Sequence, residues 1–151
     1  MTRAASLASL VDPSAVALDV AVTDRDDAVR RAGELLVDSG AAEPGYVAAM
    51  LERERAVTTF LGEGIAAPHG TLRSRGEVHR DALSVLRLAA PIDWAGERVE
   101  VVIGIAAGSE GHIGMLARLA SRLLDPAAAA ALRAAVTVDE VLAALSPRPA
   151  G

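Results

Sequence analysis

Runs of apolar, β-branched residues alternate with amphipathic segments along the chain, and this alternation predicts strands interspersed with helices. The longest apolar run, Val99 to Ala107, is nearly continuous, which is typical of a central strand covered on both faces. Pro91 and Gly96 predict a turn before it. Further strands are predicted at 15–20, 65–67 and 82–88. The pattern as a whole favours an α/β sandwich with a mostly parallel sheet.

Capping and stop signals delimit the predicted helices. Thr23 with Asp26 and Thr137 with Glu140 have the spacing of a capping box, in which two side chains satisfy free N–H groups at a helix start. Gly40 is placed to end the first helix. The predicted helices cover residues 23–38, 46–57, 109–124 and 137–145.

Length and composition indicate one globular domain. The chain has 151 residues, of which 52% are hydrophobic, and we expect a single domain over 1–151. Neither a long apolar run nor a signal-peptide core is present, so we expect a cytoplasmic protein without direct membrane insertion. The absence of cysteine excludes disulfide frameworks, cysteine zinc sites and thiol nucleophiles.

The distribution of charge argues against nucleic acid as a partner. The formal net charge is −5. The chain has 15 arginines and no lysine, and the arginines form no basic stripe. Trp94, Tyr46 and Phe60 are too few to build a base-stacking platform. Without lysine, neither a Schiff base nor a P-loop can form.

Two of the three histidines lie where α/β proteins place ligand sites. His112 falls in the first predicted turn of the helix after the 99–107 strand, at the carboxyl edge of the sheet. It shares a helical row with leucines at 116, 119 and 123, and the positive end of the helix favours a nearby anion. His79 lies among charged residues, and we assign it no function.

His69 is the candidate nucleophile. Pro68 stiffens the chain before it and Gly70 permits close approach of a bound group, which suits an exposed, rigidly held imidazole. A neutral imidazole nitrogen attacks phosphorus near pH 7 without a general base. The alternative is a turn histidine with no role. Thr71 could bond a phosphoryl group or cap the local turn.

Arg53 has apolar neighbours at helical spacing and therefore needs a partner for its charge. Its guanidinium could hold phosphate oxygens bidentately, or it could pair with Glu54. Both interpretations remain open at this point. A histidine-ligated metal hydrolase is disfavoured because a third well-placed ligand is missing, and we expect neither metal nor cofactor.

Three separated blocks resemble the mannitol/fructose class of enzyme IIA of the bacterial sugar phosphotransferase system. They read YVAAMLERE at 46–54, TFLGEGIAAPHGT at 59–71, and VIGIAA at 102–107 followed by HI at 112–113. The similarity runs from about residue 10 to 145, which we take as the core of the domain. The first and third blocks are closer to the mannitol branch, whereas PIDW at 91–94 is closer to the fructose branch.

The resemblance implies a phosphotransferase of the phosphocarrier type. Phosphorylated HPr would donate a phosphoryl group to His69, on Nε2, and His69 would pass it to a cysteine of a IIB domain during uptake of mannitol or a related sugar. His112 matches the family's second active-site histidine, and Arg53 matches an arginine that assists transfer. The implied fold is a mixed sheet with helices on both faces, in a free-standing component that docks with a separate membrane permease.

A regulatory module with the same site is the alternative, in which a partner protein reads the phosphorylation state of the chain. Glu110, close before His112, departs from the family pattern by placing a negative charge near the expected phosphate. It could tune reactivity or point to solvent.

Overall fold

A computed structural model of the chain describes residues 6–108 and 111–146, with the backbone alone at 111–113. In this range a sheet of five strands carries five α-helices and two short 3₁₀ helices, Ala8–Leu10 and Leu72–Glu77. The strands are β1 (Val11–Val20), β2 (Phe60–Gly62), β3 (Ile65–Ala66), β4 (Ala82–Trp94) and β5 (Glu97–Ala106). The helices are α1 (Arg25–Asp38), α2 (Gly45–Ala56), α3 (Gly111–Leu123), α4 (Pro126–Ala134) and α5 (Val138–Leu145).

The sheet is mixed, with the order β1-β4-β5-β3-β2, and β5 is its central strand as predicted. β1 pairs with β4 and β3 with β5 in parallel, whereas the β4–β5 and β2–β3 pairs are antiparallel. The mixed sheet that the resemblance implies is therefore confirmed, but two of its four strand pairs are antiparallel, so it is not mostly parallel. A tight turn at Ala95 and Gly96, both with positive φ, joins β4 directly to β5 and makes this long pair antiparallel.

The turn predicted from Pro91 to Gly96 is shorter than expected. β4 continues through Pro91 to Trp94, and the register of the β4–β5 pair shifts between Arg87 and Ile92. Proline has no N–H to give to a ladder, so an irregular stretch of this kind accommodates it inside a strand.

Two hydrophobic cores lie on opposite faces of the sheet, as the resemblance implies. One core contains Tyr46, Met50 and Trp94 with residues of α1 and α2, and the other contains Leu119 and Leu132 with residues of α3, α4 and α5. Because β4 and β5 contribute side chains to both cores, the sheet connects them.

Local hydrogen bonds explain where α1 begins and ends. Its N-cap is Asp24, whose carboxylate accepts from Asp27 N at 2.8 Å, so the predicted cap at Thr23 is one residue early. Asp27 in turn accepts from Thr23 N at 2.9 Å. At the other end Gly40 has a φ of +83°, and Ala41 N donates to a carbonyl of the last turn, which confirms the predicted stop.

The remaining helices agree with the prediction in part. α2 and α5 match the expected spans closely, and Thr137 caps α5 by accepting from Glu140 N at 3.1 Å. α4 and β2 are not predicted, since the first is alanine-rich and the second has 3 residues. No helix in residues 6–108 and 111–146 is both long enough and apolar enough to cross a bilayer.

Candidate functional site

His69 lies at the carboxyl edge of the sheet, directly after β3. Its backbone bridges to Ile105 of β5 in parallel, and Ile105 N donates to Pro68 O at 2.9 Å. β3 and β5 run parallel, so the end of β3 and the start of α3 meet at the same edge. The expectation of an exposed imidazole is wrong: His69 is 4% exposed because its segment pairs with β5 instead of projecting as a loop.

The hydrogen bonding of the imidazole determines which nitrogen can react. Nδ1 of His69 lies 3.1 Å from Ala67 O. A carbonyl oxygen only accepts, so Nδ1 carries the proton and the lone pair of the neutral ring is on Nε2. Burial lowers the pKa of His69 below its ordinary value of 6.5, and the nearby Arg53 lowers this pKa further. The bond to Ala67 O and the charge of Glu54 raise the pKa in opposition. The site therefore favours the neutral form.

Tyr46 holds the histidine segment, residues 67–70, against the central strand β5. Its hydroxyl donates to Ile105 O at 2.7 Å and accepts from Gly70 N at 2.9 Å, and burial raises the pKa of Tyr46 to about 12. A Cβ on Gly70 would overlap the Tyr46 ring, so this packing requires the glycine. The sequence shows Tyr46 as one of three aromatics and as the first residue of the 46–54 block, but its bond partners are distant in the chain.

Arg53 and Glu54 lie near the end of α2, and no ion pair joins them among the described residues. The half-buried Arg53 donates from Nη1 to Val57 O at 2.8 Å. Glu54 is 1% exposed and bonds elsewhere, accepting from Thr59 N at 2.8 Å and from Trp94 Nε1 at 3.1 Å. The simple Arg53–Glu54 pair is therefore wrong, while the guanidinium is near enough to affect His69.

The second predicted histidine, His112, has its backbone in the first turn of α3, and its side chain lies outside the described residues, as does Glu110. Of the predicted row on α3, Leu119 and Leu123 are buried. Close to the start of α3, Asp81 accepts from Gly108 N at 2.8 Å, a contact that the sequence does not reveal.

The other candidates have identifiable local roles. The Thr71 side chain does not cap the following 3₁₀ helix, but its carbonyl accepts from Ser74 N and Oγ. His79 is exposed, and its Nε2 lies 3.4 Å from Oε1 of Glu43. Among the side chains that the structure describes, at 6–108 and 114–146, histidine and acidic groups form no cluster of three or more that could hold a metal ion.

Sequence comparison finds relatives that transfer phosphoryl groups. The family model described as "Phosphoenolpyruvate-dependent sugar phosphotransferase system, EIIA 2" matches residues 9–147. A mannitol-specific phosphotransferase enzyme IIA component from Staphylococcus aureus is 42% identical over 103 residues, which are 68% of this chain and 72% of that protein. A multiphosphoryl transfer protein from Xanthomonas campestris is 42% identical over 140 residues; these cover 90% of this chain but 16% of that protein.

Comparison with solved structures gives the same family as the sequence comparison. The complex of enzyme IIA mannitol with phosphorylated enzyme IIB mannitol from Escherichia coli matches with a TM-score of 0.83 and 34% identity, covering 90% of this chain and 98% of that chain. The matched region of the family model spans nearly the whole chain and includes the histidine segment after β3. The chain therefore belongs to the type 2 EIIA family of the phosphoenolpyruvate-dependent sugar phosphotransferase system.

Proposed function

We propose that this chain is a phosphocarrier that accepts a phosphoryl group from phosphorylated HPr on His69 and passes it to a cysteine of a IIB domain, for uptake of mannitol or a related sugar. The observation that carries the proposal is the bond of His69 Nδ1 to Ala67 O, which leaves the lone pair of the neutral ring on Nε2. Family membership supplies the phosphoryl chemistry to which this nitrogen is suited.

Each transfer exchanges one bond to phosphorus. His69 Nε2 attacks the phosphorus of the donor phosphohistidine, and the P–N bond of the donor breaks with its electron pair returning to the donor ring. In the onward step a thiolate forms an S–P bond while the P–Nε2 bond breaks. No base has to remove a proton from Nε2, because the proton of the neutral ring is on Nδ1 throughout.

Positive groups at the carboxyl edge would stabilise the transferred phosphoryl group. Arg53 is near enough to affect His69, and the first turn of α3, which includes His112, has N–H groups that the helix itself does not bond. Phosphoryl transfer depends mainly on alignment and on donors around the equatorial oxygens. We therefore assign His69 as the nucleophile and Arg53 and His112 as stabilising groups, without metal or cofactor.

Similar proteins support the choice of partners. The S. aureus relative is named as mannitol-specific, and the E. coli structure contains a phosphorylated IIB partner. A IIB domain is accordingly the proposed acceptor, and phosphorylated HPr the proposed donor. These exchanges would take place in the cytoplasm, at a membrane permease to which the chain docks without inserting into the bilayer.

The direct test is the intact mass of the chain after incubation with phosphoenolpyruvate, enzyme I and HPr. The wild-type chain should gain one acid-labile phosphate and lose it when a mannitol IIB domain is added. His69→Ala should gain none while remaining folded by circular dichroism. The matched control is His79→Ala, which removes an exposed histidine outside the site and should be labelled like the wild type.

Different results distinguish transport from regulation. A stoichiometric phosphohistidine in His69→Ala would contradict the assignment of the nucleophile. Labelling that is not lost to any IIB domain, together with binding of another protein that depends on phosphorylation, would instead support the regulatory alternative. In the same assay, His112→Ala and Arg53→Met should slow labelling at least tenfold and still permit it, because His69 itself is retained.

A further inference from the structure

We propose that Glu54 tunes the phosphoryl-transfer potential of His69, because its buried negative charge destabilises the phosphorylated imidazole and favours onward transfer. The inference rests on the proposed phosphocarrier function and adds a residue that acts through His69. Glu54 is thus assigned a positioning and electrostatic role, while the reacting atoms stay on His69.

Glu54 is buried, and no cation in the described part of the chain forms an ion pair with it. Its carboxylate accepts from Thr59 N at 2.8 Å, from Trp94 Nε1 at 3.1 Å and from Thr59 Oγ1. All three partners donate hydrogen bonds and none carries a charge, and no ion pair among the described residues includes Glu54. A charge held in this way is little screened by solvent and acts on its surroundings over a longer distance than a surface carboxylate does.

A short path of hydrogen bonds fixes the position of Glu54 relative to His69. Thr59, whose N–H bonds the carboxylate, accepts through its carbonyl from Ala67 N at 3.0 Å. Ala67 O in turn bonds Nδ1 of His69 at 3.1 Å. The carboxylate is therefore held at a constant distance from the imidazole, and its charge raises the pKa of His69 against the effects of burial and of Arg53.

A charge that favours a proton on a histidine disfavours a phosphoryl group there. A phosphoryl group brings a charge of about −1.5 to −2 near neutral pH, so Glu54 repels it and Arg53 attracts it. A carrier has to release its phosphoryl group as well as accept it, and Arg53 and Glu54 act on that group in opposite directions. The opposing charge of Glu54 limits that stabilisation.

Glu54→Gln isolates the charge from the hydrogen bonds. The amide oxygen can accept from Thr59 N and Trp94 Nε1, and the amide N–H can donate to Thr59 Oγ1, so all three contacts are retained. The measurement is the equilibrium of phosphoryl exchange between HPr and the chain, by intact mass. We expect the equilibrium constant to shift roughly three- to tenfold toward phosphorylated His69, with slower transfer to the IIB domain.

The matched control is Trp94→Phe, which removes one hydrogen bond to Glu54 but leaves its charge. Its exchange equilibrium should stay within about twofold of the wild type. An unchanged equilibrium in Glu54→Gln, or an equal shift in Trp94→Phe, overturns the inference. A wild-type chain that accepts no phosphate contradicts the proposed function instead, so the two failures are distinguishable.

A measurement on the wild-type chain needs no variant and applies even where Glu54→Gln does not fold. Trp94 is the single tryptophan, so its indole gives one ¹H–¹⁵N resonance, from a group that bonds Glu54. Phosphorylation of His69 should move that resonance, because the added charge acts on the carboxylate that the indole contacts. An indole resonance that stays in place contradicts the coupling.

Discussion

At the scale of the residue, the environment of His69 favours a neutral imidazole, which can act as a nucleophile, over a protonated one. A buried imidazole is easier to keep neutral than an exposed one, and here burial is the largest influence on its pKa. The bond to Ala67 O adds a fixed tautomer, so that one nitrogen has both the lone pair and a constant direction. The sequence indicates His69 as the candidate nucleophile, and its burial, which the sequence does not reveal, has the largest effect on its protonation.

The lowered pKa of His69 makes a prediction about pH. The rate of phosphoryl acceptance by His69 should fall to half its maximum only below pH 6.5, because the lowered pKa delays protonation of the ring. In the window between the lowered pKa and 6.5 the unfolded chain binds more protons at this site than the folded chain, so folding stability should fall as pH decreases. NMR titration of the His69 ring protons provides the check, and a midpoint at or above 6.5 would contradict it.

At the scale of the element, Tyr46 connects α2, the histidine segment and β5 through one hydroxyl. Tyr46→Phe keeps the ring but leaves Gly70 N and Ile105 O without this partner. We expect unfolding free energy to fall by about 1–3 kcal/mol, because unsatisfied buried polar groups are costly. We also expect slower phosphoryl acceptance, because Gly70 adjoins His69, the proposed nucleophile.

Urea unfolding and the initial rate of labelling measure the two effects of Tyr46→Phe. The control is Met50→Leu, a volume-conserving change in the same buried face of α2 that should cost less than about 1.5 kcal/mol. Its labelling rate should equal that of the wild type. Equal rates in Tyr46→Phe and Met50→Leu would restrict Tyr46 to a role in stability.

Elements with strong local signals are predictable from the sequence, and those defined by distant pairing are not. The apolar run of β5 and the stop at Gly40 follow from local chemistry. The 3-residue β2 exists through its pairing with β3, and α4 has too uniform a composition to show a helical period. At the start of α1 the neighbouring residues Thr23 and Asp24 are both suitable caps by residue type, and the structure has Asp24 as the N-cap.

In the candidate site, too, some features are predictable from the local sequence and others depend on residues distant in the chain. His69, Arg53 and His112 are identified from the sequence by motif and spacing, and their proposed roles come from the family resemblance. The contacts of Tyr46 with Ile105 and of Glu54 with Trp94 could not be predicted, because the partners lie 59 and 40 residues away in the chain. The burial of His69 depends on its pairing with β5, which also brings together distant parts of the chain.

At the scale of the whole molecule, one sheet separates two cores, and we predict that both unfold in a single transition as one domain. Leu132 is fully buried on the α4 face and Trp94 on the α1 and α2 face. Leu132→Ala should lower the unfolding free energy by about 2–5 kcal/mol through loss of packing. Because β4 and β5 contribute to both cores, the Trp94 fluorescence midpoint should shift together with that of far-UV circular dichroism. Val136→Ala, at a side chain 66% exposed, is the control and should leave both midpoints nearly unchanged; a fluorescence midpoint that stays fixed in Leu132→Ala would mean that the two faces unfold independently.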